Sequence, residues 1–386
     1  MAKHAIIIIG TGAIARVHIE AYKSLGNCRI VALCDLFVHK AEKMIEEMAL
    51  EGAVAYKDYK EALASSDADI VSVCLPPGLH AQVAIDALNA GKHVLVEKPM
   101  ATSLEECDLM IEAGKKRGKL LSIVCQNRFK TPMMKMKQLL DSGQVGPIRY
   151  ANVNSYWWRG QSYYDLWWRG TWENESGGCT TGHATHHIDL MQWFLGMPTE
   201  VTAVITNMVH TNSECEDLSM AIFRYPDKMA QLTATLLMHG EEQSMVFTGD
   251  RAKVAIPWSV HANKELENGF PVEDTETLAS VQTYYDSLDE LDIEGHPAQL
   301  RNFVRAIDGE ESLLVTGEEG RNTIELIMAI YKSSVTQAPV KLPLAKDDVF
   351  YTKAGLVSQM PKFFEKKRSV ENFSTDKISL GRDVGK

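Results

Sequence analysis

Ala5-Ile6-Ile7-Ile8-Ile9-Gly10-Thr11-Gly12-Ala13-Ile14-Ala15 decides the fold. A strand-like apolar run passes into G-x-G-x-x-A, and a helical stretch follows from Ala15 to Leu25. Gly10 allows the tight turn after the strand, Gly12 lets backbone approach a pyrophosphate, and Ala15 keeps helix and strand close. The N–H groups of Ala13 and Ile14 then open a helix, where backbone donors face an anion. The next strand-like run, Ile30–Cys34, ends in Asp35. A carboxylate there can accept both ribose hydroxyls of NAD and would repel the 2′-phosphate of NADP. Leu36 and Phe37 follow and supply no compensating cation, so NAD is expected over NADP.

Working outward, short apolar runs alternate with helical stretches up to Cys125. Strands are expected at Ala5–Ile9, Ile30–Cys34, Ile70–Cys74, His93–Val96 and Leu120–Cys125, with helices near Ala15–Leu25, Val38–Ala49, Ala81–Ala90 and Ser103–Gly118. Such alternation implies βαβ units and a doubly wound parallel sheet, a Rossmann domain over residues 1–125. After Gln126 the rhythm changes. A helix near Pro132–Ser142 precedes strand patterns at Ile148–Tyr156, Glu200–Asn207, Ser219–Arg224, Ala230–Met238, Ser244–Thr248 and Lys253–Ile256, with helices near Pro297–Asp308 and Gly320–Ser333. Short connections argue for a mostly antiparallel open sheet in an α+β domain over 126–345. Residues 346–386, with Lys366-Lys367-Arg368, read as a surface tail or interface arm.

Composition narrows the class. The chain has 386 residues, more than one ordinary core encloses, with 45% apolar and 24% charged residues. Its net charge of −11 gives no reason to expect nucleic acid or an anionic membrane as partner. No apolar run reaches the ~20 residues of a membrane span. The first strand begins almost at once after Met1, which leaves no room for a signal peptide. Seven cysteines without a CxxC, several at the ends of apolar runs, read as core thiols of a reducing compartment. The cytoplasm is expected.

Three constellations carry chemistry. Leu75-Pro76-Pro77-Gly78-Leu79-His80 follows the third strand as a rigid loop on the carboxyl edge of the sheet, and His80 opens a helix from which it could contact the cofactor. His93–Val96 ends in Glu97-Lys98-Pro99. Pro99 stops the strand and biases Lys98 toward an extended backbone, so the lysine projects where ligands of an open α/β sheet bind. Burial and nearby positive charge would lower its pKa and suit it to donate a proton or hydrogen bond. The third is Gly177-Gly178-Cys179-Thr180-Thr181-Gly182-His183-Ala184-Thr185-His186-His187-Ile188-Asp189. His186 and Asp189 stand i, i+3, and an imidazole here could act as general base toward a carbinol. His183 and His187 have the i, i+4 spacing of a zinc helix, but no Glu follows His183 and no further ligand cluster completes a site, so no metal is expected.

Residues 156–172 hold Tyr156 and five of the seven tryptophans, Trp157, Trp158, Trp167, Trp168 and Trp172. No clean helix or strand period runs through them. Their faces suit the C–H faces of a sugar, and Arg159, Gln161 and Arg169 could bond hydroxyls. The same composition also suits a subunit interface.

These motifs, with Ala90-Gly91-Lys92-His93-Val94 and Gln126-Asn127-Arg128-Phe129, resemble the Gfo/Idh/MocA oxidoreductases, the relatives of glucose–fructose oxidoreductase and inositol dehydrogenase, over roughly residues 5–340. The resemblance implies reversible oxidation of a secondary carbinol in a sugar, cyclitol or glycoside, with hydride passing to nicotinamide C4. It implies Lys98 and His186 as catalytic residues, Glu97, Asn127 and Arg128 beside the cofactor, and an open sheet that builds homo-oligomers. The substrate would meet Lys98, Tyr156, Trp158, Arg159, Trp168, Arg169, His183, His186 and Asp189. Where the family often carries Asp or Asn four residues before the histidine, this chain has Gly182. One variant of this reading is oxidation at C3 of a glucosyl group. The contrasting reading is a cofactor-binding sensor or structural subunit without turnover.

Overall fold

The computed structural model describes residues 3–371 and 373. The first half is a six-stranded sheet of β1 (His4–Ile9), β2 (Cys28–Cys34), β3 (Val54–Tyr56), β4 (Ile70–Val73), β5 (His93–Val96) and β6 (Leu121–Ile123). Every pair in it is parallel, in the order β3-β2-β1-β4-β5-β6. Helices α1 (Ala13–Ser24), α2 (Val38–Glu47), α3 (Tyr59–Ser65), α4 (His80–Asn89) and α5 (Leu104–Arg117) connect the strands. Ile6, Ile7, Ile8 and Ile9 are all buried because helices cover both faces of a parallel sheet, which is why β1 reads as a continuous apolar run. The strand order reverses between β1 and β4, so the crevice beyond their carboxyl ends is the ligand position of the fold. β3 and α3 were not legible in the sequence: three half-exposed residues are too few to show a period.

The second half is an eight-stranded sheet in the order β13-β12-β11-β7-β10-β9-β8-β16. Its strands are β7 (Ile148–Tyr156), β8 (Glu200–Thr206), β9 (Leu218–Arg224), β10 (Met229–Thr235), β11 (Gln243–Gly249), β12 (Lys253–Ile256), β13 (Ser259–His261) and β16 (Val340–Lys341). A separate hairpin pairs β14 (Asn263–Glu265) with β15 (Pro271–Glu273). All neighbours in the large sheet are antiparallel except β7 and β10, which run parallel. The helices are α6 (Thr131–Asp141), the single turn α7 (Cys179–Gly182), α8 (Thr185–Leu195), α9 (Thr275–Ser287), α10 (Gly295–Ile307), α11 (Gly317–Thr336) and α12 (Lys353–Gln359). Val201, Ala203, Ala221, Phe223, Ala230 and Leu232 face the core, against which α11 packs, while Val204, Met220 and Ile222 alternate outward and are exposed. α9 carries one fully buried residue, Val281, so it has no apolar stripe from which a sequence reading could find it.

The halves are joined by contact as well as by chain. α10 lies against α1, and the Gln299 carboxamide of α10 accepts from the Cys125 amide and donates to the Ile123 carbonyl. Residues 361–370 run back over the Trp-rich segment. The Lys366 ammonium donates to the carbonyls of Tyr164 and Arg169, and the Asn212 carboxamide accepts from the amides of Lys367 and Arg368. The earlier part of the expected tail is not surface chain: it carries α12 and buries Phe350, Tyr351, Leu356 and Met360, while residues 372 and 374–386 lie outside the described residues.

Candidate active site

The cofactor loop is shaped by a collision. Gly10 adopts φ +94°, and a Cβ on it would lie 2.3 Å from the Cys74 carbonyl oxygen, so only glycine lets β1 pass β4 this closely. Around Gly12 the position of a Cβ is open, with nothing within 4 Å, which leaves a backbone-walled space at the start of α1. Asp35 accepts from the Thr11 amide (3.0 Å) and hydroxyl (2.6 Å), and its other oxygen from the Phe37 amide (3.0 Å). These residues fit a dinucleotide: an open helix start for the pyrophosphate, and a carboxylate fixed at the end of β2. Leu75 and Pro76 border the same edge and are half-buried.

Lys98 stands at the end of β5, half-buried, and its ammonium donates to the Gly182 carbonyl at 3.2 Å. A group from the Rossmann half thus touches the glycine-rich segment of the second half. Gly177 and Gly178 make that segment possible. Their Cβ positions would lie 1.9 Å from the Tyr331 hydroxyl and the Glu216 carbonyl oxygen. The buried Glu216 carboxylate anchors the turn by accepting from the amides of Gly178 (3.0 Å) and Thr180 (2.9 Å). Four residues past Gly182, in the first turn of α8, His186 is half-buried.

Electrostatics divides the labour. Burial lowers the Lys98 pKa; Glu97 and Glu175 oppose that shift, and Arg169 adds to it. Burial, and then the Lys98 charge, hold His186 well below the usual histidine range. His186 is therefore a neutral imidazole at neutral pH, free to accept a proton, beside a lysine that can donate one.

Four sequence expectations need correction. Arg128 does not border a ligand: it is fully buried, forked onto Asp189 at 2.7 and 2.8 Å, and bonded to Glu319 as well. Asp189 is correspondingly spent on Arg128 and has no surface left for substrate. His80 is fully buried with both ring nitrogens against backbone carbonyls, those of Pro99 and Leu75, so it braces the loop rather than touching cofactor. Glu97 is also committed, one oxygen to His18 Nε2 at 2.9 Å and the other to the Lys98 amide. Burial opposes charge on both members of that pair. Cys74 and Glu97 nevertheless raise His18 to about 10, and His18 lowers Glu97 to about 2, so the two form a buried ion pair behind Lys98. Asn127 is buried beside Arg128.

The aromatic stretch splits three ways. Trp172 is core, packed edge-on to Tyr331, and Trp157 is buried against the rings of His183 (5.5 Å) and His187 (6.4 Å). Trp158 is exposed and stacks on His239, while Arg159 pairs with Glu241. Trp168 and Tyr163 flank the Arg169 guanidinium at 4.3 and 4.1 Å, and Tyr163 lies 5.4 Å from the His183 ring, whose Nδ1 has no hydrogen-bond partner among the described residues. Tyr156, at the end of β7, is half-buried. Tyr163, Glu175 and His18 escaped the sequence reading. Tyr163 lay inside the quoted stretch, whereas nothing near Glu175 or His18 in sequence marks them.

Residues 4–124 match the NAD-binding Rossmann fold of the Gfo/Idh/MocA oxidoreductase family, and residues 137–342 match its C-terminal alpha/beta domain. The D-glucoside 3-dehydrogenase of Escherichia coli is 24% identical over 358 residues, 87% of this chain and 97% of that one. The inositol 2-dehydrogenase of Salmonella typhimurium is 33% identical over 141 residues, 36% of this chain and 42% of that one. The WlbA dehydrogenase of Bordetella pertussis, crystallised with NADH and UDP-GlcNAcA, superposes with a TM-score of 0.75 at 28% identity over 89% of this chain and all of that one. Both halves of the chain, the glycine loop that receives NAD and the Lys98 that meets the second domain, thus have one source: the protein belongs to the Gfo/Idh/MocA oxidoreductase family.

Proposed function

We propose that the protein is an NAD-dependent dehydrogenase that reversibly oxidises a secondary ring hydroxyl of a sugar, cyclitol or glycoside. The observation that supports this reading is the Lys98 to Gly182 contact, with His186 four residues further on and close enough for the Lys98 charge to act on it. NAD, when bound, supplies the hydride acceptor at nicotinamide C4. His186 takes the hydroxyl proton as the carbinol is oxidised, and Lys98 donates a hydrogen bond to the same oxygen, stabilising the charge that develops there. In the reverse direction the same two groups return the proton. Trp168, Tyr163 and Arg169 suit a ring that is both stacked and hydrogen-bonded. The glucoside 3-dehydrogenase and inositol dehydrogenase relatives support this substrate class, and C3 of a glucosyl group is the variant the former favours.

The outward row Val204, Met220 and Ile222, with Val204 68% exposed, supports a second copy of the chain as partner on the sheet face. Free thiols at all seven cysteines support a reducing compartment such as the cytoplasm. No described helix is long and apolar enough to cross a membrane.

The test is incubation with NAD and a panel of inositols, hexoses and glucosides while NADH absorbance is followed, before and after exhaustive EDTA dialysis. NADH formation that survives dialysis and is lost in His186→Ala supports the reading. Absence of turnover across the panel, with NAD binding intact, would favour a sensor.

A further inference from the structure

Glu175 is a carboxylic acid in an unusual place. Its residue is 2% exposed, it follows the Trp-rich segment, and no catalytic role has been assigned to it above. One oxygen accepts from the Gly170 amide at 2.6 Å, while the other lies 3.5 Å from the Arg169 guanidinium. That second oxygen is also 3.4 Å from the point where a Cβ on Gly182 would sit, and it is the single neighbour within 4 Å of that point. Gly182 is the residue whose carbonyl receives the Lys98 ammonium. The carboxylate and the ammonium therefore approach one glycine, with no side chain on it to part them.

We propose that Glu175 is a positioning residue that sets the proton affinity of Lys98 across the bare backbone of Gly182. This rests on the reading of Lys98 as the proton-handling group of a dehydrogenase. A buried anion beside the same glycine favours the ammonium form, offsetting part of the burial and the Arg169 charge that would otherwise discharge it. Glu175 is itself adjustable. Burial raises it to about 7, against the charges of Arg169 and Lys98, and Glu216 raises it further. Tyr163, Tyr164 and Cys215 face it from nearby segments, and Lys366 approaches from the carboxyl-terminal stretch. Protonation of Glu175 as pH falls through about 7 removes the negative charge and makes Lys98 the readier donor, so the two titrate as a coupled pair.

The experiment reads Lys98 directly. Full-length protein is acylated with acetic anhydride across a pH series, and modification of Lys98 is quantified by mass spectrometry. Glu175→Gln keeps an oxygen for the Gly170 amide but removes the charge. The labelling midpoint should move to lower pH by about tenfold in proton concentration. Glu175→Asp, shorter by one methylene, should give an intermediate displacement and serves if the amide variant folds poorly. NAD affinity equal to wild type verifies the fold. An unmoved midpoint in a variant that binds NAD normally overturns the proposal, whatever happens to turnover. A moved midpoint in a protein that oxidises no sugar upholds the Glu175–Lys98 coupling and overturns the dehydrogenase reading instead.

Discussion

Replacing Arg128 by Met tests whether Arg128 and Asp189 are architecture rather than ligand contacts. Asp189 holds its charge in the core through two short bonds from one guanidinium, at 2.7 and 2.8 Å. Once these are gone, the Gln192 amide and the Thr323 hydroxyl remain at 3.5 Å, with the Cys125 thiol, all neutral groups. Leaving a buried charge without its partner costs about 3–5 kcal/mol. The stacking of Arg128 over Trp193 at 5.3 Å adds about 0.5–1 kcal/mol. Glu319 is partly exposed, so losing its share costs at most about 1 kcal/mol. At about 1.4 kcal/mol per decade, the sum of about 3.5–7 kcal/mol should raise the unfolded fraction by roughly two and a half to five orders of magnitude. Arg128→Met/Asp189→Leu removes both charges and should recover most of the loss. Urea denaturation of the two variants, followed by circular dichroism, measures this. A double variant no more stable than the single one, or a single variant of wild-type stability with a raised KM for sugar, would refute the structural assignment.

Lys98→Met should leave the Kd for NAD within about twofold and lower turnover by roughly 10²-fold or more, the usual contribution of one proton-transfer group; unimpaired turnover removes Lys98 from the chemistry. The acid limb of kcat should fall below the ordinary histidine range, because burial and Lys98 hold His186 neutral, and pH–rate profiles of wild type and Lys98→Met check it. NAD should be preferred to NADP by a clear margin in kcat/KM, and Asp35→Ala should narrow the gap; equal efficiency of the two cofactors in the wild type contradicts the role given to Asp35. Trp168→Ala should raise KM for the sugar by about fivefold, the worth of one stacked face, without altering the Kd for NAD. A fall in sedimenting mass with unchanged kinetics would assign Trp168 to an interface instead.

Several of these expectations came from residues that stand close in sequence. G-x-G-x-x-A after an isoleucine run, Asp35 at the end of the next strand, and Lys98 between Glu97 and Pro99 are local patterns, and local backbone geometry is what such patterns encode. Strand alternation in the second half likewise revealed the core face, because a half-buried strand must alternate with period two. Sequence alone therefore determined the Rossmann half, the open sheet, the NAD loop and the position of Lys98. The tertiary structure decided which charges are free to act. Arg128 and Asp189 lie 61 positions apart, and His18 and Glu97 lie 79 apart, yet each pair closes on itself in the core. Viewed in sequence, Asp189 sits one turn from His186 and invites a catalytic role; in space its carboxylate is already neutralised by a guanidinium from another element. Glu175 shows the converse, a carboxylate without a motif that only folding brings to Gly182 and Lys98. The reason is physical. A side chain's charge state and availability depend on burial and on through-space neighbours, and neither is a property of the residues beside it in the chain.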